Sequence, residues 1–312
     1  MRVFTDERCL GHRVPPGFPE VPERLAGILA AFDADDRAEV VRGAGADRDT
    51  TLAAIAAVHP EGYIGRFGRA VARGDSLFDT ADNPLSGATF EAASGAVAAT
   101  LAALEAVVAS PGAPCFAAVR PPGHHAERDG AMGFCFFNSV AVAARAAQGA
   151  GLGRVAIFDF DVHHGNGTQH IFEADPGVFY ASVHQFPFYP GTGDVRACGA
   201  GPGEGHTVNV PFAAGANDGD YALVFRELLG PIAEQYQPDL VLVSAGFDAH
   251  RSDPLGGMQL TEEGFASLCA EVKAIADKYA GGRLVLVLEG GYDLNALAAS
   301  VEAATAELVA AT

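Results

Sequence analysis

Four polar clusters in this chain carry residue types that do chemistry, and each follows a short apolar run. The richest is VAIFDFDVHHGNGTQH, beginning at Val155. Side chains on a strand alternate between faces. Val155, Ile157, Asp159, Asp161 and His163 therefore share one face if the strand continues that far. Carboxylates emerging from a core are costly unless paired or metal-bound. Asp161 and His163 could bind one divalent ion, while Asp159, set deeper, could hold a loop histidine or another cation. A second cluster, LVLVSAGFDAHRSDPLGG from Leu240, offers Asp248 as the third ligand. Asp, His and Asp with an open position for water make a plausible catalytic zinc site. His250 and Asp253 are alternative ligands further out on the same loop.

The third cluster is RPPGHHAERDGAMGFCFFN, from Arg120. Two prolines and Gly123 force a loop after the strand. On an extended loop the adjacent His124 and His125 point in different directions, and they could be metal ligands or an acid/base pair. The fourth cluster is LVLVLEGGYDL, from Leu284. Gly290 and Gly291 let the backbone turn sharply, so Tyr292 could project into a pocket. A tyrosine there can donate a hydrogen bond to a developing oxyanion.

The elements that must position these residues are legible as alternation. Apolar runs at 115–119, 155–160, 178–183, Leu240–Ala245 and Leu284–Leu288 alternate with helix-like stretches at 90–109, 139–148, 221–236 and 262–280. Uniformly apolar strands between helices predict a parallel sheet covered on both faces. In such sheets ligands bind beyond the C-terminal ends of the strands. Four of the runs end in the polar clusters, which places the site before any motif is named.

Composition narrows the functional classes. The chain has 312 residues, with 39 Asp+Glu against 20 Lys+Arg and a formal charge of −19. Phosphate binding needs clustered cations, and Lys273 and Lys278 are the only lysines, so a direct nucleic-acid ligand is not expected. A cationic substrate is compatible with this acidity. The stretch 92–109 comes nearest to a membrane span but is interrupted by Ser94, Thr100 and Glu105, so no membrane partner is expected. The first residues, MRVFTDERCL, lack the apolar core of a signal peptide, which points to a cytoplasmic protein. The cysteines are expected to be isolated and reduced, in or near the core, with no CxxC pair among them.

Together the motifs resemble the histone deacetylase family, in the wider arginase/deacetylase fold. They are RPPGHHA, GFCFFN, DFDVHHGNGTQ, YPGTGD, AGFDAHRSDPLG and LEGGYD, in family order, with Pro22-Glu23-Arg24-Leu25 matching more loosely. The class II-like bacterial deacetylases and acetylpolyamine amidohydrolases are the nearest branch suggested. The resemblance implies one three-layer α/β/α domain spanning 1–312 with a central, mostly parallel sheet. It makes Asp161, His163 and Asp248 the ligands of one zinc ion, and His124 and His125 the tandem histidines, the second as general base. Tyr292 becomes the group that polarises the acyl carbonyl. Asp159 is the aspartate that orients the first histidine and, with Ser182, helps bind a structural potassium ion. Phe134 and Tyr189 are the walls of an acyl-lysine tunnel, with Gly133 beside the first, and Asp82 grips the substrate backbone.

Three positions depart from the commoner pattern. Asn166 stands where class I members carry aspartate, so His125 should lack a charged partner and be neutral more readily. Tyr189 stands where the family more often has phenylalanine. Leu255, in Asp253-Pro254-Leu255-Gly256, stands where polyamine-specific relatives carry glutamate, which favours acyl-lysine over acetylpolyamine. The carboxylates of a two-manganese arginase site, in patterns such as D-x-H-x-D and D-x-D, are absent, since Gly165 and His250 stand where Asp would be needed. The expectation is amide hydrolysis of an acylated lysine in a protein or peptide, with an acetylated polyamine second. A homo-oligomer is left open, and specificity is expected to lie in residues 11–22.

Overall fold

The computed structural model describes residues 1–43, 45 and 47–309. Its strands are β1 (Arg2–Thr5), β2 (Glu39–Arg42), β3 (Leu77–Phe78), β4 (Thr80–Pro84), β5 (Cys115–Ala117), β6 (Val155–Asp159), β7 (Val178–Gln185), β8 (Thr207–Phe212), β9 (Leu240–Ala245) and β10 (Leu284–Leu288). Among the described residues, eight of these form one sheet in the order β2-β1-β5-β10-β9-β6-β7-β8. Every neighbouring pair in it is parallel, where the sequence led us to expect a mostly parallel sheet. β3 and β4 form a separate antiparallel pair.

The apolar runs become strands because both of their faces need cover. Every residue of β5, β6, β7, β9 and β10 is buried. Helices supply that cover. The helix Thr89–Ala109 packs on β1, β5 and β10 and against the helix Ser139–Gly149, which meets β6 and β9. A second group, Pro22–Asp33, Glu262–Tyr279 and Leu294–Val309, packs together, with Glu262–Tyr279 against β9. Helix Thr89–Ala109 is long and apolar enough to cross a membrane by composition alone, which differs from the sequence expectation. Its small residues instead let it lie in the interior, with 78% of its most apolar window buried.

The strand order does the work that positions the site. β5, β10, β9 and β6 are sheet neighbours, although the chain visits them far apart. Their C-terminal ends carry the four polar clusters. In register, Val287 pairs with Ser244, Ser244 with Asp159, and Asp159 with Ser182, so one row crosses the sheet beneath the site. Two elements differ from the sequence reading. β6 stops at Asp159, so Asp161 and His163 lie on the loop beyond it. The expected helix 221–236 is interrupted by a π segment at Phe225–Leu229. There Gly230 N donates to Phe225 O, because Pro231 has no N–H and its ring crowds the preceding turn.

Candidate active site

Among the described residues, Asp161, His163 and Asp248 form a group whose ligand atoms all lie within 4.8 Å of one another. His163 Nδ1 is 3.1 Å from Asp161 Oδ1 and 3.1 Å from Asp248 Oδ2. The backbone holds the remaining oxygens. Gly290 N donates to Asp161 Oδ2 at 2.9 Å, and Val162 N donates to Asp248 Oδ1 at 2.8 Å. The cradle tolerates no side chains: a Cβ at Gly246 would sit 2.1 Å from Asp161 Oδ2, and one at Gly290 2.1 Å from Asp248 Oδ2. Burial raises Asp248 to about 7, with the Asp161 charge adding to it. Burial opposes the charge on His163 as well, but the two carboxylates lift it to about 10. Two buried carboxylates forced together around one imidazole make a donor set that a divalent cation suits. His250 and Asp253, the alternative ligands, are not in this group. His250 Nε2 lies 3.5 Å from Glu262 Oε2 instead. The Asp253 carboxylate accepts from the backbone N–H groups of Leu255 at 2.9 Å and Tyr292 at 2.6 Å.

The tandem histidines do not point apart as expected. Their loop is not extended, and the two rings lie 4.1 Å apart, centroid to centroid. His124 Nδ1 is 3.0 Å from Asp159 Oδ2, and His125 Nδ1 is 2.8 Å from Asn166 Oδ1. Burial opposes a charge on His124, but Asp161 and Asp159 hold its pKa well above the ordinary imidazole value. Burial, with the positive neighbours His124 and His163, pushes His125 well below it. Two adjacent imidazoles are thereby driven to opposite protonation states. Asp159 also accepts from the Tyr180 hydroxyl at 3.0 Å, and Ser182 Oγ sits 2.9 Å from His184 Nδ1.

A cavity of about 570 Å³ opens onto this centre, lined among others by His125, His163, Tyr292, Phe134, Phe188 and Tyr189. Gly133, Asp82 and Leu255 also line it, so all the expected substrate contacts are brought together. Gly133 and Phe134 both have left-handed backbone, at φ 58 and 69. That is strained for phenylalanine, and Asp82 and Asn83 hold it. Gly133 N donates to Asp82 Oδ2 at 3.2 Å and Phe134 N to Asn83 Oδ1 at 2.9 Å. Opposite, the Tyr189 hydroxyl donates to Asp82 Oδ2 at 2.8 Å. Residues 11–22, expected to carry specificity, supply no lining residue. Phe18 backs the wall, its ring meeting Phe134 edge-on at 5.0 Å.

Several site residues escaped the sequence reading. Phe188 stacks on His163 with ring centroids 5.4 Å apart. Glu289, fully buried, accepts from Gly123 N at 2.6 Å and His124 N at 3.1 Å, so it holds the histidine loop. Its signal is in the sequence: a carboxylate where a buried strand ends, as at Asp159. Arg24 donates to Gly291 O at 2.5 Å and to Glu289 O at 2.6 Å, and its guanidinium lies over the Tyr292 ring. Glu20 bridges Arg24 and Arg120 in the interior. Cys198 is exposed, contrary to the expectation for the cysteines, and the other four are buried.

Residues 18–308 match the model of the histone deacetylase domain. Histone deacetylase 10, chloroplastic, of Oryza sativa subsp. japonica is 41% identical over 317 residues, covering 96% of this chain and 71% of that protein. A probable deacetylase of Archaeoglobus fulgidus is 37% identical over 294 residues, covering 94% of this chain and 81% of the relative. Histone deacetylase 9 of Homo sapiens is 46% identical over 198 residues, but these are 60% of this chain and 19% of that protein. The relatives named here come from a plant, an archaeon and human, not from bacteria. The crystal structure of the HDA15 HD domain superposes with a TM-score of 0.90 at 35% identity, covering 100% of this chain and 91% of that one. By its motifs, its parallel sheet and these likenesses, the chain belongs to the histone deacetylase family, metal-dependent hydrolases of amide bonds.

Proposed function

We propose that this protein hydrolyses the amide that joins an acetyl or other acyl group to a lysine side chain in a protein or peptide, with one zinc ion held by Asp161, His163 and Asp248. The observation that carries the reading is convergence. One aromatic-walled cavity reaches His125, His163 and Tyr292 together. Phe134, Phe188 and Tyr189 suit the four-carbon stem of an acyl-lysine. Zinc in this donor set would polarise the acyl oxygen and lower the pKa of a water. The chain's own groups do the rest. His125, neutral and tied through Nδ1 to Asn166, takes a proton at Nε2 from the attacking water. The Tyr292 hydroxyl donates to the oxygen that gains charge. His124, paired with Asp159 and with its pKa raised by the neighbouring carboxylates, serves as proton source for the leaving amine.

The finer assignments are part of the same proposal. A structural potassium ion would lie by Asp159 and Ser182, which are paired neighbours on β6 and β7. Leu255, which lines the cavity, offers no charge to a second amine, which favours acyl-lysine over an acetylated polyamine. The test is a panel of acylated lysine peptides and acetylated polyamines, compared by kcat/KM. Acyl-lysine peptides should lead. A higher kcat/KM on the polyamines than on every peptide would replace this reading with the polyamine one.

A further inference from the structure

Asn166 poses a problem that an aspartate would not. A carboxylate facing His125 Nδ1 can only accept. An asparagine amide can accept with its oxygen or donate with its nitrogen, and the two orientations have nearly the same shape. With the oxygen inward, His125 carries its proton on Nδ1 and leaves the Nε2 lone pair free. With the nitrogen inward, Nδ1 must be bare and Nε2 protonated, and the ring cannot take a proton there.

The surroundings of Asn166 decide between them. Its Nδ2 donates to Glu127 Oε1 at 2.5 Å and to Met132 Sδ at 3.3 Å. Neither a carboxylate nor a thioether has a proton to give. Both amide protons are therefore claimed from outside, and Oδ1 is left facing His125 Nδ1 at 2.8 Å. Glu127 is held in turn by His170, whose Nδ1 lies 2.9 Å from the same Oε1. The side chain of Glu127 is 26% exposed and that of His170 41%, so a polar chain runs from the buried histidine to the surface.

We propose that Glu127 is a positioning residue that sets the tautomer of His125 by orienting the Asn166 amide. The inference rests on the reading of His125 as the base, and the tautomer can be measured without relying on it. Long-range proton–nitrogen spectra of the zinc-loaded protein, labelled with ¹⁵N-histidine, read which ring nitrogen carries the proton. The wild type should show it on Nδ1. Glu127→Lys offers only donors, so the amide should turn and the proton should move to Nε2. Its kcat should fall by roughly tenfold or more, within the range of a positioned base, with KM changed by less than about twofold. Asn166→Asp in the Glu127→Lys background restores an acceptor that cannot turn, and kcat and tautomer should both recover. Glu127→Leu removes the acceptor without adding a charge and should give a mixture of tautomers. A Glu127→Lys protein with the wild-type tautomer overturns the proposal, as does a double variant as slow as Glu127→Lys alone. A changed tautomer with an unchanged rate leaves the positioning role standing and refutes His125 as the base.

Discussion

Asp253 was an alternative metal ligand in the sequence, and the structure makes it a brace for Tyr292. Asp253→Ala tests that reassignment. The carboxylate accepts from Tyr292 N at 2.6 Å and Leu255 N at 2.9 Å. Hydrogen bonds to a charged group are worth about 1.5–3 kcal/mol each. Tyr292 keeps two other holds in the variant: the Arg24 guanidinium 4.8 Å from its ring centroid and the edge-on Phe134 ring at 5.8 Å. The hydroxyl should therefore be misplaced rather than lost. Misplacement of a reacting group by about 1 Å costs up to roughly 10²-fold. Loss of an oxyanion donor outright costs about 10²–10³. We expect kcat to fall roughly 10–10²-fold in Asp253→Ala and 10²–10³-fold in Tyr292→Phe. Zinc content should stay that of the wild type in both. The decisive assay is the double variant on an acetyl-lysine peptide under saturating conditions. If Asp253 acts through Tyr292, the double variant is no slower than Tyr292→Phe by more than about threefold. Losses that multiply would refute the reasoning, as would loss of zinc from Asp253→Ala.

Three further outcomes follow from two contacts at the cavity and from one buried histidine. Tyr189→Phe frees one site on Asp82 Oδ2, which otherwise accepts from both Tyr189 and Gly133; KM for acyl-lysine peptides should fall by up to about fivefold, one hydrogen bond's worth, while that for an acetylated polyamine stays put. Gly133→Ala places a Cβ 2.3 Å from His125 Cδ2 at φ +58, so kcat should drop by roughly 10² while zinc binding persists. His59 is buried and its pKa is pushed down to about 4. The unfolded chain binds that proton below about 6.5, so the wild type loses stability as pH falls from there toward 4. His59→Gln should remove a loss of about 2 kcal/mol between pH 7 and 5, read as a shallower pH dependence of the urea midpoint; identical slopes would contradict the assignment.

How much of this was legible in the sequence varies by residue. Asp161, His163 and Asp248 announced themselves because charge directly after an apolar strand is costly unless a cation or a partner offsets it. Their convergence was less visible, since it depends on β9 and β10 inserting between β5 and β6. The geometry of the histidines was misread because a local rule, alternation along extended backbone, was applied to a loop held by distant groups. Glu289 accepts from the N–H groups of both Gly123 and His124, 166 and 165 residues away in the chain. No spacing rule reaches that far. Asp253 stays open as an alternative ligand in the sequence for the same reason: its partner Tyr292 N lies 39 residues on. Conversely, Asn166 is the uncharged hydrogen-bond partner of His125 that the sequence leads one to expect, but a carboxylate reappears one residue out at Glu127. The π turn at Phe225–Leu229 shows a proline overriding an otherwise regular helical pattern.

The proposal that one divalent ion in the group Asp161, His163 and Asp248 makes this chain a lysine deacylase stands or falls with that ion. Its most direct test is zinc titration of chelator-treated protein, following bound metal and acetyl-lysine peptide turnover together. We expect no turnover in the stripped protein, recovery that saturates at one zinc per chain, and neither binding nor turnover in Asp248→Ala. Turnover that survives complete chelation, or full zinc binding by Asp248→Ala, would contradict it.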